Sequence, residues 1–282
     1  MDFESKILKN DSFPLLLGPC VIESEALLYE IARKLEQIFQ KLNQEDLMDG
    51  VVPVFKASYD KANRTSIHSF RGPGLEAGLN ALAKIKADFG FPVVSDVHEI
   101  NQVKESAEVL DIIQIPAFLC RQTDLVASAA STGKVLNIKK GQFLSPPEIK
   151  NIVDKCKELN NHKVFICERG NSFGYNNLVV DMRMFEQARQ MGIRTVFDAT
   201  HSCQMPGAGG DRSLGNSHFA PILARAAVAA GATGLFAETH PNPSEALSDG
   251  PNMIPLANLE DALRDVLLVR KLFLNNKKET LV

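Results

Sequence analysis

The chain has 282 residues, of which 45% are hydrophobic and 23% are charged. These proportions are ordinary for a globular protein, and they exclude a disordered chain, a collagen and a small disulfide scaffold. Lys and Arg number 31 against 34 Asp and Glu, a formal net charge of −3, so no overall basic field is present to attract nucleic acid.

The start of the chain and its cysteines bear on the compartment. Charges among the first six residues interrupt the apolar core of a signal peptide, so none is expected. No apolar run reaches the roughly 18 residues of a membrane-spanning helix. The five cysteines are irregularly spaced and include no Cys-x-x-Cys pair. These features predict a reduced, cytoplasmic protein without membrane association.

Short apolar segments rich in β-branched residues recur along the whole chain. They lie at residues 15–22, 51–57, 91–97, 112–117, 135–139, 163–167, 194–198 and 233–238. Most are continuous rather than alternating, which is typical of parallel strands that are covered on both faces. Segments with helical periodicity separate them, among them residues 26–42, 75–89, 147–159, 178–191 and 218–230, and a last helix is expected at 259–274.

Alternation of strands and helices predicts a parallel sheet, and eight repeats fit one (β/α)8 barrel. An open doubly wound sheet is the alternative, but the first strand ends in Gly18-Pro19-Cys20, which is not a phosphate-binding glycine turn. No linker divides the sequence. Residues 1–282 are therefore predicted to form a single barrel domain, with residues 1–13 as a short N-terminal extension.

Chemistry in such a barrel takes place at the carboxyl ends of the strands. All eight predicted ends carry polar or ionisable residues. The cations among them are Lys56, Lys61, Lys139 and Arg169, with Arg64 and Arg121 as further candidates. Cations that face one another repel unless an anion compensates, so phosphate or carboxylate ligands are indicated. Ion pairing with Asp96, Glu168 and Asp198 is the alternative interpretation.

A metal site is a second possibility at the same end. Cys20, His201, Glu238 and Asp249 come from strand ends that become neighbours when the barrel closes. Thiolate, imidazole and carboxylate together suit a divalent Zn, Fe or Mn ion. Their spacing matches no local zinc motif, and Cys20 taken alone is more typical of a small core residue than of a metal ligand. Spacing therefore leaves both interpretations open.

Several segments, taken together, are recognisable. They read GPCVIES at 18–24, FKASYDKANR at 55–64, SDVHE at 95–99, QIPAFLCRQTD at 114–124, NIKKGQF at 137–143, ERG at 168–170, FGYNN at 173–177, DATHS at 198–202, ETHP at 238–241 and SDG at 248–250. In this order they resemble the family of 3-deoxy-D-manno-octulosonate 8-phosphate synthases, over about residues 14 to 260.

The resemblance implies a (β/α)8 barrel, usually a homotetramer, that condenses phosphoenolpyruvate (PEP) with D-arabinose 5-phosphate. The product supplies the inner-core sugar of Gram-negative lipopolysaccharide. By the same resemblance, PEP would be held by Lys56, Lys61, Lys139 and Arg169 near Gln114 and Ala117. The sugar phosphate would meet Asn63, Arg64 and Thr65, where the family often has Ser in place of Thr65. Candidates for proton transfer or orientation are Asp96, His201 and Asp249.

The family divides into metal-dependent and metal-independent members. The metal-independent ones carry Asn at the position of Cys20, so Cys20 with His201, Glu238 and Asp249 resembles the metal-dependent branch.

Two alternative functions stay open. The first is a DAHP synthase-type condensation with erythrose 4-phosphate, although the KANRTS motif at 61–66 resembles the arabinose-phosphate enzyme. The second is a non-catalytic barrel that binds phosphorylated ligands.

Overall fold

The computed structural model describes residues 2–207 and 214–279. Eight parallel strands pair in chain order, and the first also pairs with the last, so the sheet closes into a barrel. The strands are β1 (Phe13–Gly18), β2 (Val51–Lys56), β3 (Val93–Asp96), β4 (Ile112–Ile115), β5 (Val135–Lys139), β6 (Val164–Glu168), β7 (Arg194–Asp198) and β8 (Leu235–His240).

A helix follows each strand and covers the outside of the barrel. The helices are α1 (Glu25–Gln44), α2 (Leu75–Phe89), α3 (Ile100–Val109), α4 (Thr123–Ser131), α5 (Ile149–Glu158), α6 (Arg183–Gln190), α7 (Phe219–Ala229) and α8 (Leu259–Glu279). The side chain of Ser24 caps α1 by accepting from the amide of Leu27 at 3.2 Å. The (β/α)8 barrel predicted from the sequence is confirmed.

Two layers of apolar side chains stabilise this architecture. Outward-facing strand residues pack against the helices in the larger layer, and inward-facing residues such as Val54, Phe165 and Phe236 fill the barrel. Ile7 belongs to this inner cluster. It lies on a short N-terminal helix, Phe3–Ile7, whose last carbonyl accepts from Arg194 at the start of β7. That helix therefore covers the amino-terminal end of the barrel.

Several predicted boundaries need correction, among them the end of the last helix, which reaches Glu279 rather than residue 274. The first strand begins at Phe13 and ends at Gly18, not at residue 22, so Cys20 lies in the following loop. The helix predicted at 178–191 begins only at Arg183, because Leu178–Val179 pairs with Asn171–Ser172 in a small antiparallel hairpin. The last strand extends to His240 and carries a two-residue parallel neighbour, Ile254–Pro255.

Candidate active site

The carboxyl ends of the strands surround one cavity of about 910 Å³. Every predicted site residue except Cys20 and Lys56 lines it, namely Lys61, Asn63, Arg64, Thr65, Asp96, Gln114, Ala117, Lys139, Arg169, His201, Glu238 and Asp249. Cys20 and Lys56 are completely buried and adjoin Glu238. The fold therefore brings the predicted residues together at one end of the barrel. Arg121, the further cation candidate, is exposed and does not line the cavity.

Lys56 ends β2 and lies behind the cavity wall. Its ammonium donates to Glu238 Oε1 at 2.5 Å and to the carbonyl oxygen of Cys20 at 2.7 Å. Burying a charge is costly unless it is paired in this way. The close approach of β1 depends on Gly18, because a Cβ at that position would collide with the carbonyl oxygen of Lys56. In this structure Lys56 is thus the buried counter-ion of Glu238.

Asp96 ends β3, which pairs with β2, and organises the adjoining part of the wall. Its carboxylate accepts from Ser58 Oγ at 2.7 Å and from the Gln114 side chain, and Lys61 Nζ lies 3.7 Å away. Gln114 in turn accepts from Asn137 Nδ2 at 2.7 Å. Burial by itself raises the pKa of Asp96, but the charges of Lys61 and Lys56 outweigh burial and hold that pKa well below its usual value.

Asp198 ends β7 and connects a lysine with a histidine. Its carboxylate accepts from Lys139 Nζ and lies 2.7 Å from His201 Nδ1, while the ammonium of Lys139 sits 3.1 Å from the centroid of the Phe236 ring. Burial alone raises the pKa of Asp198, yet His201 and Lys139 together hold it well below its usual value. Asp198 thereby fixes the position of Lys139 and the orientation of the His201 ring.

Three of the four predicted metal donors form one cluster, and the fourth, His201, lies beside it. Ligand atoms of Cys20, Glu238 and Asp249 all lie within 4.8 Å of one another. His201 Nε2 lies 3.7 Å from Glu238 Oε2, and that buried oxygen has no hydrogen-bond partner among the residues described. Burial and the nearby Glu238 raise the pKa of the Cys20 thiol well above its usual value, so a cation is needed to stabilise its thiolate. This donor set fits a divalent metal ion.

The outer part of the cavity is held by two arginines. Arg64 donates to Ser248 Oγ at 2.6 Å, and Ser248 precedes the metal-donor candidate Asp249. Arg169 donates to the side-chain oxygen of Gln204, whose amide nitrogen donates to Asp249 Oδ1 at 2.9 Å. Asn63 and Thr65, on either side of Arg64, are exposed at the rim. Both arginines therefore contact the segment that carries Asp249.

The charges of the cavity follow a simple division. Lys61 pairs with Asp96 and Lys139 with Asp198, two of the carboxylates that the ion-pairing interpretation named, whereas Lys56 pairs with Glu238, which it did not name. Within residues 2–207 and 214–279, Arg64 and Arg169 form no ion pair and donate to neutral oxygens. The ion-pairing interpretation therefore accounts for the lysines, whereas no carboxylate of the described residues pairs with the two guanidiniums, which are suited to bind an anionic ligand.

Comparison with known proteins decides the family. The sequence profile of the DAHP synthetase I family matches residues 3–271. The chain belongs to the DAHP synthetase I family. A 2-dehydro-3-deoxyphosphooctonate aldolase of Acidithiobacillus ferrooxidans is 55% identical over 252 residues, which are 89% of this chain and 87% of that protein. One of Fusobacterium nucleatum is 52% identical over 260 residues, covering 92% and 91% of the two chains. Another, of Synechococcus, is 53% identical over 263 residues, covering 93% and 90%.

These relatives carry another name for 3-deoxy-D-manno-octulosonate 8-phosphate synthase, so the resemblance found in the sequence motifs is confirmed. The structure also brings Asp198, Gln204 and Ser248 to the cavity. The sequence pattern had indicated Asp198 only as an ion-pair partner and had given Gln204 and Ser248 no role. Asp198 and Ser248 both lie within the motifs. Asp198 could have been recognised as a site residue because it ends a strand, and Ser248 because it precedes Asp249. Gln204 lies outside the motifs, and nothing in the sequence indicated that it belongs to the site.

Proposed function

We propose that this chain condenses PEP with D-arabinose 5-phosphate and water to give 3-deoxy-D-manno-octulosonate 8-phosphate and inorganic phosphate, for the inner-core sugar of lipopolysaccharide. The names of relatives that are 52% to 55% identical over about nine tenths of the chain support this reaction. The observation that carries the proposal is the convergence of Lys61, Lys139 and Arg169 on one cavity whose rim holds Asn63 and Arg64.

In the proposed reaction, the enol carbon of PEP bonds to the aldehyde carbon of the sugar. Water adds at the carbon that bears the phosphate, and cleavage of the C–O bond there releases inorganic phosphate. Lys139 and Arg169 hold the phosphate and carboxylate of PEP, which fixes the enol carbon relative to the aldehyde. The same cations stabilise negative charge as it develops. Gln114 and Ala117 form the adjoining wall.

The phosphate group of arabinose 5-phosphate positions the sugar in the cavity. Its phosphate binds at the rim to Arg64, with Asn63 and Thr65 beside it, and its aldehyde then points toward Lys61 and Asp96 deeper in the cavity. Arg64 suits this role because a guanidinium binds phosphate oxygens through two hydrogen bonds. Asp96, His201 and Asp249 are the groups that hold or move protons, and His201 is oriented for this by Asp198.

We also propose that the protein belongs to the metal-dependent branch, with Cys20, His201, Glu238 and Asp249 as ligands. A bound Zn, Fe or Mn ion would supply Lewis acidity, either to polarise the aldehyde or to activate a water.

We further propose that the protein is a homotetramer in the cytoplasm. The five buried free thiols support a reducing compartment. Within the described part of the chain, no helix has the length and apolarity needed to cross a bilayer. Sedimentation analysis of the purified chain tests the tetramer.

The reaction is tested by phosphate release from PEP, with arabinose 5-phosphate or erythrose 4-phosphate as the acceptor. Each acceptor is assayed before and after chelation, and again after divalent metal is added back. We expect turnover with arabinose 5-phosphate that is lost on chelation and restored by metal. Turnover with erythrose 4-phosphate alone would replace the proposed acceptor. Binding of PEP without turnover would indicate the non-catalytic barrel, and activity in verified metal-free protein would remove the metal.

A matched pair of variants tests the sugar site. Arg64→Met should raise the KM for arabinose 5-phosphate by about 10- to 100-fold, because a charge-assisted hydrogen bond to an anion contributes about 1.5–3 kcal/mol. Arg71→Met is the control, since Arg71 lies near the same loop but pairs with Asp60 outside the cavity. Equal effects of the two substitutions would contradict the assignment of Arg64.

A further inference from the structure

Two charged residues stand directly beside the proposed PEP ligands and point away from the cavity. Lys140 follows Lys139 at the end of β5, and Glu168 precedes Arg169 at the end of β6. Side chains of successive strand residues point to opposite faces of a sheet. Lys139 and Arg169 accordingly line the cavity, whereas Lys140 and Glu168 do not. Both outer residues are buried, with side-chain exposures of 0% and 1%.

Lys140 and Glu168 face each other behind the cavity wall. Lys140 Nζ lies 3.5 Å from Glu168 Oε2. The same ammonium donates to Asn171 Oδ1 at 2.7 Å and to the carbonyl oxygens of Gly141 and Leu144, both at 3.3 Å. A single buried cation thus joins the end of β6, the loop after β5 and the hairpin after β6.

Glu168 completes this connection on the other side of Arg169. Its Oε1 accepts from the amide of Gly170 at 2.5 Å. Gly170 has φ +88°, a left-handed conformation that favours glycine. The carboxylate and this turn hold the peptide units on both sides of Arg169, which sets the direction in which its side chain leaves the backbone. Asn171 adds a bond from its Nδ2 to the carbonyl oxygen of Leu144 at 2.6 Å.

We infer that Lys140 and Glu168 are positioning residues, which lock the two loops so that Lys139 and Arg169 present their cations to PEP at a fixed separation. The inference rests on the proposed function, because it assigns these two cations to PEP. It extends that function to residues that contact no substrate. Replacing a buried ion pair by well-packed neutral residues of similar volume often leaves stability unchanged, and for this reason the role assigned to the pair is geometric.

Two variants remove the pair while limiting the damage to the fold. Glu168→Gln keeps an acceptor for the Gly170 amide and removes the charge. The double variant Lys140→Met with Glu168→Gln removes both charges and leaves neither partner buried alone. Lys163→Met is the matched control, because Lys163 lies just before the start of β6 and pairs with Glu4 at the far end of the barrel, at 2.5 Å.

The readouts are the KM for each substrate, calorimetric PEP binding and the melting temperature. Displacement of a binding group by about 1 Å can cost about 100-fold, so we expect the KM and Kd for PEP to rise at least about tenfold in both variants. The KM for arabinose 5-phosphate should change less than about threefold, since its ligands lie on other loops. Lys163→Met should leave both KM values unchanged, whatever its melting temperature.

The possible failures are distinct. Absence of phosphate release by the wild-type chain would overturn the proposed function and this inference with it. Turnover by the wild type, with an unchanged KM and Kd for PEP in the folded double variant, would overturn the inference alone. A lower melting temperature without any change in KM for PEP would make the pair merely structural, which also overturns it. If the double variant does not fold, Glu168→Gln decides by the same criteria.

Discussion

Replacement of Lys139 by Met separates the two roles that the structure gives this residue. Lys139 pairs with the buried carboxylate of Asp198 and also lines the cavity. Breaking a buried ion pair from one side costs about 3–5 kcal/mol. Asp198 keeps bonds from Thr200 Oγ1 at 3.1 Å and from the His201 amide at 2.9 Å, so the lower value, about 3 kcal/mol, applies. At about 2–4 °C per kcal/mol for a large domain, the melting temperature should fall by about 6–12 °C.

Activity should respond differently. Loss of a group that stabilises developing charge costs about 100- to 1,000-fold in kcat, and we expect at least that for Lys139→Met. In the double variant Lys139→Met with Asp198→Asn, no buried charge remains unpaired, so at least half of the lost stability should return. The lost activity should not return. Phosphate release and thermal unfolding of the same preparations measure both effects.

The control for Lys139→Met is Lys150→Met, which removes an exposed pair with Asp154 on helix α5. Such surface pairs contribute about 0.5 kcal/mol or less, so its melting temperature should stay within about 2 °C of the wild type. The assignment of Lys139 would be refuted if Lys139→Met kept near-normal kcat/KM while folded. The ion-pair reasoning would be refuted if the single and double variants melted at the same temperature.

Three further predictions follow from the residues around Glu238. Cys20→Ala should lower bound metal and activity together, measured by elemental analysis and phosphate release; full metal content would remove Cys20 from the ligand set. Burial alone raises the pKa of Glu238, but His201 and Lys56 outweigh it and hold that pKa at about 2. The stability from its ionised form is therefore complete above the unfolded pKa of about 4.3 and is lost as pH falls toward 2. The melting-temperature gap between chelated wild type and Glu238→Gln should narrow from pH 6 to pH 3, and a constant gap would contradict this. Gly18→Ala should lower the melting temperature by several degrees, because the added Cβ would collide with the carbonyl oxygen of Lys56. Gly133→Ala is the control: a Cβ there meets no atom within 4 Å, so this variant tests the backbone conformation alone. Equal losses of melting temperature in the two variants would show that the collision does not matter.

The sequence predicted the barrel well because its strands are buried on both faces. Continuous apolar runs gave the bounds of β5 and β7 to the residue, and periodicity did the same for α2. The hairpin at Leu178–Val179 was missed for a physical reason. Its apolar residues continue the pattern of the following helix, and only pairing with Asn171–Ser172 makes them a strand. Pairing between segments is not visible in local periodicity.

The sequence predicted which residues form the site but not which of them pair with each other. Strand ends meet at one face of the barrel, so the residues that line the cavity could be named from their positions in the sequence. Which carboxylate pairs with which lysine depends on side-chain directions across neighbouring strands. The sequence for this reason did not predict that Lys56 lies behind the cavity wall and pairs with Glu238. It also did not indicate Gln204, which connects Arg169 with Asp249.

Asp198 connects the proposed PEP site with the proposed metal site, and this connection can be tested without turnover. The carboxylate accepts from Lys139 and orients His201 through Nδ1, which leaves Nε2 facing Glu238. Loss of a group that orients a metal-binding histidine typically lowers metal affinity by about 10- to 100-fold. Asp198→Asn should therefore weaken Zn²⁺ binding by about that factor in a chelator competition, whereas Lys139→Met should not weaken it, because the bond to His201 remains. Equal Zn²⁺ affinities in Asp198→Asn and the wild type would show that His201 does not depend on Asp198, or is not a ligand.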